Sequence, residues 1–102
     1  MKPDALIRIR FLTPAEGGRA SAIDTDRYGC PVIVNDHGFD CRFVLETPTR
    51  FELGHSYDIP VKFLSPELAL DEIGEGLSVS LWEGKTIGTG HVLKVYDTET
   101  MN

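Results

Sequence analysis

Apolar and polar positions alternate with a period of two along most of this chain, the signature of strands with one buried and one wetted face. From Ala5 to Thr13, Ile7, Ile9 and Phe11 share a face opposite Arg8 and Arg10, which predicts a first strand. Pro14-Ala15-Glu16-Gly17-Gly18 is a loop by its turn chemistry. Arg19 to Ile23 reads as a short second strand, followed by a polar loop from Asp24 to Gly29. Pro31 to Asn35 carries Val32, Ile33 and Val34, a strand apolar on both faces, and Asp36-His37-Gly38 reads as a turn. Asp40 to Glu46 predicts a strand with Cys41, Phe43 and Leu45 on one side, ended by Thr47-Pro48-Thr49-Arg50. A turn from Phe51 to Ser56 leads into a strand from Tyr57 to Leu64, where Tyr57, Ile59, Val61 and Phe63 share a face. Pro60 lies opposite them. Proline cannot donate to a ladder, so an edge or bulge is expected there.

Ser65-Pro66 ends that strand, and Glu67 to Gly76 has room for one short helical turn, but its glycines favour a long ordered loop. A closing hairpin follows. Leu77, Val79 and Leu81 alternate with Ser78 and Ser80, Glu83-Gly84-Lys85 makes the turn, and Ile87 to Val95 returns. Gly88 and Gly90 fall on one face of the return strand. Interior strand glycines mark a close backbone approach or a barrel corner. Thr98 to Asn102 is expected to fray. Six or seven short strands, no substantial helix and turn signals every 8 to 12 residues or so predict an all-β fold, an antiparallel barrel or sandwich.

Composition changes this picture little. A length of 102 residues fits one domain spanning residues 1–102, and 41% apolar with 25% charged residues is ordinary for a soluble globular chain. No apolar run reaches the ~20 residues of a membrane span, and Met1-Lys2-Pro3-Asp4 lacks the form of a signal peptide, so no membrane partner and a cytoplasmic location are expected. Charge says more. The net charge is −6 and the pI about 4.9. Nucleic-acid affinity is largely phosphate neutralisation, so an acidic chain starts at a disadvantage there. Arg8, Arg10, Arg19, Arg27 and Arg42 make the first half less acidic, while Glu67, Asp71, Glu72 and Glu75 form the most acidic stretch.

No motif points to catalysis. Cys30 and Cys41 have no C-x-x-C spacing; they could face each other across a hairpin, and a cytoplasmic setting favours free thiols. His37, His55 and His91 lack ligand spacing, and the acidic stretch lacks the order of a calcium loop, so neither metal nor other cofactor is expected. Asp36, His37 and Ser56 carry no triad signature. Gly84-Lys85-Thr86 ends like a P-loop, but Val79 stands where the first glycine belongs and no helix follows. Trp82 is either core or an exposed anchor for a partner.

Two glycine motifs carry a resemblance. Ala5 to Arg19, an alternating strand running into Glu16-Gly17-Gly18-Arg19, resembles the opening of the C-terminal domain of elongation factor Tu. Glu83-Gly84-Lys85-Thr86-Ile87-Gly88-Thr89-Gly90 resembles that domain's last hairpin, with one turn residue fewer. The similarity runs from about Ala5 to Val95. It implies a six-stranded antiparallel Greek-key barrel, detached from the GTPase domain that precedes it in the family, with no GTP chemistry. The family's domain helps bind the T-stem of aminoacyl-tRNA and the nucleotide-exchange partner. Arg19 matches the family's arginine, but Ala20 replaces the histidine after it and Ser65 the lysine before the proline. Glu83 aligns with a turn glycine and would face phosphates with the wrong sign. The expected function is therefore a non-catalytic module binding an unknown protein partner, through Trp82, Glu83 and the acidic loop. The alternative is RNA or tRNA binding in translation, using Arg19, Arg8, Arg10 and Lys85.

Overall fold

The structure is a computed structural model and describes residues 2–96. Among the described residues eight strands form: β1 (Ala5–Phe11), β2 (Ile23–Thr25), β3 (Gly29–Val34), β4 (His37–Phe43), β5 (Thr49–Phe51), β6 (Ser56–Phe63), β7 (Ser78–Trp82) and β8 (Thr86–Val95). Six close into an antiparallel barrel in the order β1-β6-β4-β3-β7-β8, and β2 and β5 pair as a separate ribbon. β6 returns beside β1 while β3 and β4 lie beyond it, which is Greek-key connectivity.

The period-two pattern sorts the two faces of the wall. Ile7, Ile9 and Phe11 of β1, Val32 and Val34 of β3, Ile59, Val61 and Phe63 of β6, and Leu81 of β7 are all buried. The ribbon adds Ile23 and Phe51 to the same hydrophobic core. Ile23 of β2 sits opposite Phe51 of β5. Phe51 packs on Phe11 at 5.4 Å, Tyr57 at 5.0 Å and Phe43 at 5.5 Å between ring centroids. Tilted and edge-on aromatic contacts of this kind add to the burial they share.

The glycines of β8 have the role their spacing predicts. Gly88 and Gly90 lie opposite Phe11 and Ile9 of β1. A Cβ on Gly90 would sit 1.6 Å from the Arg8 carbonyl oxygen, and one on Gly88 would sit 2.8 Å from Ile9 Cγ2. The two strands approach too closely for any side chain there. At the tip, Gly84 takes φ 72° and the Glu83 N–H donates to the Lys85 carbonyl at 2.8 Å.

Several expected boundaries move, for reasons of pairing. The second strand is Ile23–Thr25, not Arg19–Ile23, because its partner is Thr49–Phe51. Thr49 and Arg50, read as a break, therefore belong to β5. The turn after β3 is Asn35-Asp36, with φ of 50° and 67°, and not Asp36-His37-Gly38. Positive φ at both central residues suits the right-handed twist of a two-residue hairpin. β4 accordingly begins at His37 and ends at Phe43, before the expected Glu46. Pro60 lies inside β6, within the closed wall, where the β4 ladder ends. Val44 N–H donates to the Pro60 carbonyl at 2.8 Å, and the return bond that would close this pair needs the N–H that proline lacks, so the β4 ladder ends here. After β6 the less favoured alternative to a continuous loop forms, one helical turn, α1 (Pro66–Ala69). The expectation of a frayed tail at Thr98–Asn102 lies outside the described residues.

Candidate functional site

The candidate residues fall into two groups that the barrel sets apart by strand and loop. Arg8 and Arg10 alternate with buried Ile7 and Ile9, so both point outward from β1. Each meets a carboxylate. Arg8 donates to Asp58 of β6 through Nε at 2.8 Å and Nη2 at 3.1 Å, a two-pronged contact set by the register Arg8 to Asp58. The hydrogen bonds from Arg8, then its charge, hold the Asp58 carboxyl below its usual range. Arg10 donates to Glu16 at 3.0 Å. Glu16 also accepts the Thr13 N–H at 2.9 Å, and that backbone bond first, then Arg10, lowers its carboxyl.

The second group gathers at the tip of the β7–β8 hairpin. Arg19 follows the tight Gly17-Gly18 bend and reaches Glu83, donating to its two oxygens at 2.6 and 2.7 Å. Gly18 makes the approach possible, since a Cβ there would lie 2.3 Å from the Leu12 carbonyl. The Tyr28 hydroxyl donates to the same carboxylate. Burial, then the hydrogen bond to Glu83, raises the Tyr28 hydroxyl well above its usual value, so it stays protonated. Glu83 thus ties the loop after β1, the start of β3 and the hairpin tip into one clasp. Sequence reasoning had no signal for Tyr28, which lies 55 positions from Glu83 in a stretch read as polar loop.

Trp82 precedes Glu83 and points outward with Ser78 and Ser80, and 45% of it is exposed. It is therefore not core. Lys85, at the exposed tip, makes no ion pair among the described residues. The structure brings Arg19, Trp82, Glu83 and Lys85 to one hairpin tip, and leaves Arg8 and Arg10 on the outer face of β1.

Other reactive groups are tied up or apart. Cys30 and Cys41 do face each other across the β3–β4 hairpin and are free thiols. Cys41 Sγ donates to the Cys30 carbonyl at 3.3 Å. Burial pushes the Cys30 thiol up to about 11 and raises Cys41 further. His37 Nδ1 lies 2.6 Å from Glu72. Among the described residues no group of three His, Cys, Asp or Glu side chains is placed to hold a metal, and no helix is long and apolar enough to cross a membrane. No protein-family model matches the chain, and no curated protein matches it.

Proposed function

We propose that this barrel is a non-catalytic binding module of the elongation factor Tu C-terminal type, docking on another protein through the tip around Trp82 and Glu83. One observation carries this choice over nucleic acid. Arg8, Arg10 and Arg19 are each already joined to a carboxylate, while Trp82, next in sequence to Arg19's partner Glu83, is exposed. A phosphate would have to displace Asp58, Glu16 or Glu83 and then sit beside the displaced negative charge. An exposed tryptophan next to a fixed carboxylate suits a protein anchor, because a partner that covers it buries a large apolar area beside a polar group already in position.

The test has two arms. Titration with bulk tRNA at low ionic strength reads phosphate binding, and none is expected. Affinity capture from native lysate, with wild type beside Trp82→Ala, reads protein binding. A band held by wild type and lost with Trp82→Ala is expected. Recovery of RNA alone, with salt-sensitive tRNA binding, refutes this function and establishes the RNA one.

A further inference from the structure

The outer surface of the β3–β4 hairpin forms an open groove of about 1040 Å³. Five charged residues line it: Asp26, Arg27, Asp40, Arg42 and Glu46. None of the five makes an ion pair among the described residues. This contrasts with β1, where Arg8 and Arg10 are both neutralised by carboxylates of the same chain. Unpaired charge at one surface residue is commonplace. Here, though, both signs stand unpaired together, in near balance, on a chain with net charge −6. The groove also contains Pro31 and Leu64, and Leu64 is 56% exposed.

The order of the charges selects the occupant. Asp40 and Arg42 flank buried Cys41 on β4, so both side chains project outward about 7 Å apart along the strand. A two-fold axis brings residue i of one copy against residue j of the other, and j against i. Two such faces, laid together about an axis passing near Cys41, set each Asp40 against the other copy's Arg42. That makes two ion pairs from one strand. The row beside Asp40 supplies apolar cover. Pro31 is its partner on β3, and Leu64 donates its N–H to the Asp40 carbonyl at 3.0 Å. A uniformly acidic or basic partner would meet one of the two charges with the wrong sign. Only a face carrying the same alternation answers both.

We infer that this face is a self-complementary interface, and that its occupant is a second copy of this chain, paired through Asp40 and Arg42. A standard interface covers about 800 Å² per copy. That is about an eighth of the 6021 Å² this chain exposes. The association does not rest on docking at the hairpin tip.

Sedimentation equilibrium on the whole chain tests it, with the mass expected to rise from 11.3 kDa toward twice that value as concentration increases. Added salt should weaken the dimer. Asp40→Arg and Arg42→Asp should each raise the dimer dissociation constant about ten-fold or more, since each sets like charges together twice. Both side chains are exposed, so both variants should keep the wild-type circular dichroism spectrum. An equimolar mixture of the two single variants restores opposite charges across the interface and should associate within about three-fold of wild type. The double variant Asp40→Arg/Arg42→Asp should do the same. A wild type that stays monomeric at millimolar concentration overturns the inference. So does a dimer that either single variant leaves intact, or one that neither the mixture nor the double variant restores.

Discussion

Replacing Gly90 by alanine adds a single methyl group, and the barrel has no room for it. The Cβ would lie 1.6 Å from the Arg8 carbonyl oxygen, 2.7 Å from its carbon and 3.1 Å from Ile9 Cα. All three are backbone atoms, so no rotamer change relieves the contact. Normal packing begins near 3.4 Å, and the gap can open only if β1 and β8 part by more than an ångström. That motion lengthens hydrogen bonds in a ladder where β1 pairs with β8 from Ala5 to Phe11. Because the barrel is closed, β1 cannot move outward without straining its other seam with β6. Overpacking of a rigid site costs about 1–3 kcal/mol, and these backbone clashes belong at or above the upper end. For a chain of this length, about 3 kcal/mol lowers the melting temperature by roughly 12–24 °C. Gly74→Ala is the matched control. Nothing lies within 4 Å of its added Cβ and its backbone is outside the left-handed region, so it should be neutral or stabilise by up to about 1 kcal/mol. Thermal and urea unfolding of both variants, followed by circular dichroism, gives the comparison. A Gly90→Ala protein that melts within a few degrees of Gly74→Ala refutes the close approach of β1 and β8.

Three further outcomes follow from packing and titration. Phe11→Ala removes a ring buried completely and in contact with Phe51 and Tyr57, and should cost about 3–5 kcal/mol in urea unfolding. Asp58 and Glu16 have folded-state carboxyls held below their unfolded values, so the stability they contribute is present above about pH 4 and lost as pH falls through the lower folded values. Acid unfolding should therefore begin in that window, and Arg8→Gln should flatten the limb; an unchanged limb counts against the Arg8–Asp58 contact. Cys30, pushed up to about 11, should be alkylated at neutral pH on the order of 100-fold more slowly in the folded protein than in urea. Equal rates, read by mass spectrometry, would place that thiol outside the core.

Local pattern determined the strands and much of what terminates them. Alternation at Ile7, Ile9 and Phe11, or at Tyr57, Ile59, Val61 and Phe63, is a property of neighbouring residues, and it assigned the inner face correctly. Gly84, Gly88 and Gly90 were legible for the same reason, since a tight turn with positive φ favours glycine and a close approach leaves no room for a side chain. Pairing across long separations was decided only by the closed fold. β2 is three residues that become a strand because Thr49–Phe51 lies beside them, and no local signal marks either segment. The arginines show the same division. Sequence put Arg8 and Arg10 on the wet face of the first strand and assigned Arg19 no face at all. Register brought Asp58 to Arg8, and hairpin closure brought Glu83 to Arg19 across 64 positions. A charge seen in sequence carries its sign but not its partner, and the partner decides whether that charge is still available to a ligand.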